Sequence, residues 1–335
     1  MKIDIPAGTR VLITGATGYT GRFLTRKLAE AGLEIHAIAR PSSNLKPLED
    51  LNITWFKGQV YELDVLKQAM QGVQYIFHVA AAFREAKSTE DDYRNIHVVS
   101  TQHLANLALE TPGFKRMVLV STMGVHGHIE NPPGSEQSPF SPGDLYQSTK
   151  AEAEIWIKKF AKENALSYSI IRPCAIYGPG ESRLLKLFKM ATKPVFPILG
   201  KGKCWYHLVH VEDLTNGIIK AATHPNAEAE PFLIGSKEPI ALENMAKIIS
   251  KTYGTKLRIL RLPIGPFFLL ADLCEMICRP FKIEPPIYRR RVAFYSKDRY
   301  FSTEKMQNTL EYEPLYNNEE GIIESAHWYK NNNWL

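Results

Sequence analysis

The sequence predicts an α/β fold, a doubly wound parallel sheet with a smaller C-terminal α/β region set against it. Three observations carry this. Residues 10–14 form a short apolar run of buried-strand type that passes through Gly15-Ala-Thr-Gly18-Tyr-Thr-Gly21 into the helical pattern of 22–31. Strand-like and helix-like segments then alternate through residue 120, which calls for parallel strands joined by right-handed crossovers. Beyond Pro179 the pattern changes to short strands and helices of a second region.

In the glycine turn, Gly15 permits the tight bend, Gly18 lets the backbone approach a pyrophosphate, and Gly21 lets helix and strand pack closely. Thr17, Tyr19 and Thr20 complete the turn, and the helix N-terminus offers N–H groups and a positive dipole end to an anion. Gly32 stops the helix. Residues 34–39 read as the second strand, with Arg40 at its end, 19 residues past Gly21. A cofactor with a free ribose 2′-hydroxyl usually meets an Asp or Glu there. Arg40, with Ser42 and Ser43 as further donors and Arg22 as a weaker addition, attracts a phosphate, which favours NADP(H) while leaving NAD(H) open.

Residues 53–56 read as the third strand, 64–70 as a helix and 74–80 as the fourth strand. That strand empties into Ala80, Ala81 and Ala82, small residues that let a ribose or a flat ring lie against the backbone. One long helix is expected over 91–109 and the fifth strand over 115–121. In such sheets the ligand lies beyond the carboxyl ends of the strands.

The fifth strand ends in Ser121-Thr122, a Pro- and Ser-rich loop covers 131–143, and Tyr146 and Lys150 then open a helix on one face, four residues apart. Hydride exchange with an alcohol needs a group that moves the hydroxyl proton. A phenol with a pKa near 10 does this poorly at neutral pH. A neighbouring ammonium and a positive nicotinamide favour phenolate and make it a competent acid/base. Ser121 or Thr122 is placed to bind the substrate oxygen.

With Thr14-Gly-Ala-Thr-Gly-Tyr-Thr-Gly21, Phe77-His-Val-Ala-Ala81, Asn95, Val120-Ser-Thr122, Tyr146 to Lys150, Arg172-Pro-Cys-Ala-Ile-Tyr-Gly-Pro179 and Val209-His-Val-Glu-Asp213, nearly the whole chain resembles the extended short-chain dehydrogenase/reductase superfamily. The resemblance implies a Rossmann sheet, Tyr146 as acid/base, and Lys150 holding the nicotinamide ribose and tuning the Tyr. It selects Thr122, three residues before Val125-His126-Gly127, as the oxygen binder; His126 stands where the superfamily usually has Tyr. It places Asn95 near the cofactor and the backbone from Pro173 through Ile176 along the nicotinamide. It puts Gln59, followed by Val60, where an Asp usually meets adenine. The tail (262–266, 285–291, 301–306, 319–322) is similar to the 3β-hydroxysteroid dehydrogenase and dihydroflavonol-reductase-like branch.

A nucleotide-binding domain is therefore expected over 1–178, completed by about 205–228, with 179–204 and 229–335 forming the substrate region. A strand is expected over 205–211, another at 232–234, and packing or surface roles for the remaining histidines. The stretch 265–278 is the most apolar, a core helix, a lid, or a face touching a membrane. Arg289-Arg-Arg291 reads as a solvated run or a partner for phosphate, carboxylate or lipid headgroups.

Bulk properties fit an enzyme. Net charge is only +6, spread along 335 residues, so no nucleic-acid partner is expected. Cys174, Cys204, Cys274 and Cys278 make no Cys-x-x-Cys pair, so no metal site is expected and a reducing, cytoplasmic setting is the default, with membrane contact at most peripheral. No signal peptide or spanning helix is expected. The leading expectation is an NADP(H)-dependent oxidoreductase interconverting hydroxyl and ketone on a bulky apolar substrate, steroid-like or β-keto/β-hydroxy acyl. A nucleotide-sugar epimerase or dehydratase is the alternative, although dehydratase relatives carry Asp-Glu where Met123-Gly124 stand. A non-catalytic cofactor-binding regulator is a third reading. The superfamily implies a homodimer.

Overall fold

The computed structural model describes residues 3–82, 89–202, 204–278, 280, 285–287, 289–293 and 298–335, and no side chain at 290 or 291. The elements of the first half are β1 (Arg10–Thr14), α1 (Tyr19–Glu30), β2 (Glu34–Ala39), β3 (Ile53–Lys57), α2 (Leu63–Ala69), β4 (Tyr75–His78), α3 (Glu90–Arg94), α4 (Ser100–Glu110), β5 (Arg116–Val120), α5 (Leu145–Asn164) and β6 (Tyr168–Pro173). With Pro231–Ile234 they form a seven-stranded sheet in the order Pro231–Ile234, β6, β5, β4, β1, β2, β3. Every neighbouring pair is parallel.

The strands are near-continuous apolar runs because both sheet faces are covered. Alternate residues go to opposite layers. Val11, Ile13, Val118 and Val120 pack under Leu24 and Leu28 of α1 and under Leu214 and Ile218 of helix Val211–Thr223. Leu12, Ile76, Met117 and Leu119 pack under Leu66, Leu104 and Ile157 of α2, α4 and α5. The strand order reverses between β1 and β4, which opens a crevice at their carboxyl ends, where ligands of this architecture lie.

Three expectations change. The strand at Pro231–Ile234, expected in the covering region, pairs with β6 in the main sheet, because Phe232, Leu233 and Ile234 are fully buried there. The helix expected over 91–109 is interrupted by a π-helical turn at Asn95–Val99 between α3 and α4. The single strand expected over 205–211 is two short ones, Trp205–Tyr206 and Leu208–His210, and His210 then becomes the N-cap of helix Val211–Thr223. In the C-terminal half, strand Arg258–Leu262 pairs in parallel with Val195–Leu199.

A third apolar cluster, including Phe188, Phe196, Met245, Ile249 and Tyr329, organises the C-terminal half. Buried Asp213 ties that half back, its carboxylate accepting from the Leu315 and Tyr316 N–H groups at 2.7 and 3.2 Å. Helix Gly265–Cys278 lies outside this core. Of its side chains Ala271 is buried, while Leu269, Leu270, Leu273, Met276 and Ile277 are exposed, so it is no core helix. Its Asp272 and Glu275 share a face and both hold Arg289: Asp272 pairs with the guanidinium and Glu275 accepts the Arg289 N–H at 2.7 Å. The side chains of Arg290 and Arg291 fall outside the described residues.

Helix α5 carries Tyr146, Lys150 and Glu154 at four-residue spacing, on one face. Glu154 and Arg172 of β6 are completely buried, 0% exposed, and paired at 2.6–3.1 Å through Nε and Nη2. Arg172 Nη1 also donates to the Glu136 carbonyl at 3.0 Å, so the guanidinium is satisfied on all sides. Removing one partner of such a pair leaves an uncompensated buried charge. Arg172→Met should therefore cost about 3–5 kcal/mol in urea unfolding, and adding Glu154→Leu should recover part of that loss. A single-substitution cost under about 1 kcal/mol would show that the pair does not fix α5.

Candidate functional site

The glycine turn closes on the exit of β4. Gly15 has φ +71°, and a Cβ there would lie 2.8 Å from the Ala80 Cα. A Cβ at Gly21 would sit 2.0 Å from the Gly15 carbonyl oxygen, so the start of α1 and the turn touch backbone to backbone. Gly18 is exposed, and a Cβ there would meet the Gly15 oxygen at 3.2 Å and nothing else within 4 Å. Gly18 is also the N-cap of α1, with no side-chain cap and no acidic residue in the first turn. Bare backbone and an uncapped helix start fit a dinucleotide pyrophosphate. Thr17 and Tyr19 are half-buried and Thr20 is buried. Burial, with Glu181 nearby, raises the Tyr19 phenol above its ordinary pKa. Arg22 packs its guanidinium 5.2 Å from the Tyr19 ring centre and beside Gly180 and Trp328, which turns it toward the C-terminal helix Asn318–Asn331.

Arg40 is exposed immediately after β2, next to β1, and its carbonyl accepts the Ser43 N–H at 2.9 Å. Half-buried Gln59 and buried Val60 follow β3. Ala80 and Ala82 are buried and Ala81 is exposed at the end of β4. Pro173 ends β6, and half-buried Ile176 lies in the short strand Ala175–Tyr177. All these residues lie at or just past the carboxyl ends of strands.

Tyr146 and Thr122 come together by a side-chain hydrogen bond. Thr122 is half-buried and its Oγ1 accepts the Gly124 N–H at 3.1 Å, whereas Ser121 is buried. Tyr146 stands in the first turn of α5, where the N-cap Asp144 accepts the Gln147 N–H at 2.8 Å. Burial pushes the Tyr146 phenol up to about 12; Arg183 and the Thr122 bond pull it down, and Asp144 pushes it up. Lys150 is 2% exposed and donates to the Val120 carbonyl at 2.9 Å and the Ala80 carbonyl at 3.3 Å. Burial brings its ammonium down to about 7, against the pull of Glu154. Lys150 turns to the strand ends, where two carbonyls replace water, and Arg183 is the cation that most favours phenolate.

Sequence reasoning passed over three residues. Arg183 donates to the Ile176 carbonyl at 3.0 Å and to Glu181 at 2.5 Å, leaning over the segment expected beside the nicotinamide. His97 and His78 are fully buried at the same strand ends rather than in plain packing roles. Asn95 is half-buried at the start of the π turn; two residues on, His97 Nε2 accepts the Ala82 N–H at 3.1 Å. Its Nδ1 lies 2.8 Å from Thr149 Oγ1, and its ring meets the Tyr146 ring edge-on at 5.4 Å. His78 lies 2.7 Å from Thr14 Oγ1 and 3.0 Å from Ser100 Oγ. The periodicity of 74–80 and of 91–109 marks these positions only as strand and helix. His126, by contrast, sits behind the site, where its Nε2 accepts from Arg172 at 3.0 Å.

Comparison with known proteins identifies the family and the fold. The 3 beta-hydroxysteroid dehydrogenase/Delta 5-->4-isomerase of Mycobacterium tuberculosis is 27% identical over 340 residues, covering 96% of this chain and 90% of that protein. A 4-hydroxy-2-methyl-3-oxo-4-farnesyl-3,4-dihydroquinoline-1-oxide ketoreductase of Stigmatella aurantiaca is 24% identical over 319 residues, covering 93% and 94%. The UDP-glucose 4-epimerase structure from Thermotoga maritima has the same fold, with a TM-score of 0.77 at 20% identity, over 97% of this chain and 99% of that one. The family model described as "NAD dependent epimerase/dehydratase family" matches residues 11–235, about two thirds of the sequence, and the chain belongs to that family.

Proposed function

We propose that this NAD(P)-dependent oxidoreductase reduces a ketone, or oxidises the matching alcohol, on a bulky apolar substrate, with NADP(H) as its preferred cofactor. The hydrogen-bonded pair of Thr122 and Tyr146 beyond the strand ends carries the reading. When bound, the dinucleotide supplies or accepts the hydride. Gly15, Gly18, Gly21 and the first turn of α1 hold its pyrophosphate, Arg40 its 2′-phosphate, and Lys150, Ala80 to Ala82 and the Pro173–Ile176 segment its nicotinamide end. In reduction, Thr122 holds the carbonyl oxygen and Tyr146 gives it a proton. Burial keeps the phenol protonated, as a donor requires.

Two features support an apolar substrate. The relatives above are named for a steroid and for a farnesyl-bearing ketone. In helix Gly265–Cys278, Leu269, Leu270, Leu273, Met276 and Ile277 recur at i, i+1, i+4, i+7 and i+8, so one exposed face is apolar. We assign that face to substrate entry and to peripheral contact with a membrane surface. No described helix is long and apolar enough to cross a membrane. We assign the substrate side to the described residues of 179–204 and 229–335, apart from strand Pro231–Ile234, which joins the main sheet. We also propose a homodimer that pairs the faces of α4 and α5 on which Leu109 and Ile155 are exposed.

Tyr146→Phe should lower turnover of a 3-oxosteroid or β-keto thioester by about 10²–10⁴-fold while NADPH still binds in a fluorescence titration. Near-normal turnover would remove Tyr146 from the reaction, and formation of a 4-epimer from UDP-glucose would favour the epimerase reading. Arg40→Glu should lower kcat/KM for NADPH by about 10–100-fold, the worth of a charged hydrogen bond, and improve use of NADH. Equal use of both cofactors by the unaltered protein would end the role given to Arg40. The double variant Leu269→Glu/Leu273→Glu should lose sedimentation with phosphatidylserine-containing vesicles and raise KM for the steroid; unchanged sedimentation would show that this face does not meet the bilayer.

A further inference from the structure

The geometry points to His97 as a positioning residue that locks the first turn of α5, and with it Tyr146, to the segment leaving β4. This rests on the role given to Tyr146 above. The Ala82 N–H donates to His97 Nε2 at 3.1 Å, so that nitrogen carries no proton. Thr149 Oγ1 gives its one proton to the carbonyl of Leu145 (2.9 Å) or Tyr146 (3.2 Å). It therefore accepts from His97 Nδ1–H at 2.8 Å. The chain of bonds runs one way, from the Ala82 N–H through a neutral imidazole and Thr149 to a carbonyl in the first turn of α5. His97 also sets its ring edge against the Tyr146 ring.

A parallel chain fixes His78 in the opposite tautomer. Ser100 donates to the Ile96 carbonyl at 2.6 Å, so it accepts from His78 Nε2–H, and His78 Nδ1 accepts from Thr14. Thr14 in turn accepts the Ala80 N–H at 3.2 Å. Both chains thus begin at N–H groups of the 80–82 segment and reach the π turn, the first going on from it to α5 and the second arriving by way of Ser100 of α4. The titratable groups around His97 are Lys150, His78, Tyr93 and Tyr146. Burial, then Lys150 and His78, hold its imidazolium form well below the usual histidine range. A protonated His97 would also lose the Ala82 N–H bond, since both ring nitrogens would then be donors.

The consequence is specific. The flat segment expected under the nicotinamide ribose and the phenol expected to move the proton are held by one side chain, so their separation is fixed before ligands arrive. Loss of that link should appear in kcat more than in KM or in cofactor affinity.

His97→Leu and His97→Gln are compared with the unaltered protein, using the same ketone and NADPH as for Tyr146→Phe. His97→Leu should lower kcat by about 10–100-fold, the effect of misplacing a reacting group by about an ångström, with NADPH affinity unchanged. His97→Gln, which keeps an acceptor for the Ala82 N–H, should recover part of the loss. Nitrogen-15 imidazole spectra should show His97 as the neutral Nδ1–H tautomer from pH 5 to 9. Normal kcat in His97→Leu, a loss no larger than its unfolded fraction, or an imidazolium or Nε2–H signal at pH 6 would each overturn the proposal. The two readings fail separately. Activity in Tyr146→Phe removes the proton donor, while the spectra still judge the hydrogen-bond chain; inactivity there with a normal His97→Leu removes the positioning role alone.

Discussion

The orientation of α5 depends on a guanidinium and a carboxylate removed from water. Arg172 and Glu154 meet with no exposure, and the pair fixes the depth and rotation of the helix against β6. Because Tyr146, Lys150 and Glu154 follow one another at four-residue steps, fixing the third fixes the other two. Glu154 is the deep anchor, Lys150 reaches the strand ends, and Tyr146 stands at the mouth. A buried ion pair is a poor source of net stability, since desolvation offsets most of its attraction. Its value here is geometric: two forked contacts permit little rotation, whereas apolar packing alone permits helix sliding.

Ala80 joins the two halves of the site. Its Cα leaves no room for a Cβ on Gly15, its carbonyl accepts from Lys150, and its N–H donates to Thr14. The glycine turn and the helix bearing Tyr146 are therefore registered through a single residue at the end of β4. A larger side chain at Gly15 would push on the Lys150 contact as well as on a ligand. The buried ammonium tolerates this position because carbonyls at the ends of β4 and β5 replace its water.

Local features were legible in the sequence, and long-range ones were not. The strand, turn and helix of 10–31 have their geometry written in adjacent residues, with three glycines at positions where a Cβ would collide or would face a ligand. Tyr146 and Lys150 are one helical turn apart, so their shared face needs no tertiary information. Choosing Thr122 over Ser121 needed the resemblance, because the two residues stand side by side after β5. The partner of Glu154, the leaning of Arg183 over Ile176 and the bonds of His97 join residues far apart in the chain, which no periodicity encodes. The π turn was equally hidden, since one extra residue per turn leaves an apolar pattern nearly unchanged over a few residues. Helix Gly265–Cys278 was seen as apolar, but which way its apolar face points is a property of its neighbours.

The electrostatics of the site bear on direction. In water the reference pKa of lysine lies slightly above that of tyrosine, so an ammonium–phenolate pair and a neutral pair are nearly balanced. Burial separates them the other way, with Lys150 near 7 and Tyr146 near 12. By itself the protein therefore favours the neutral phenol, the form that donates a proton to a ketone. Phenolate becomes accessible only when further positive charge stands beside Tyr146. The pull of Arg183 is already contained in that value, and an oxidised nicotinamide is the kind of cation that would supply the further charge. On the role proposed for Tyr146, the site need not be built for one direction, because an oxidised dinucleotide would bring the charge that favours phenolate and a reduced one would not.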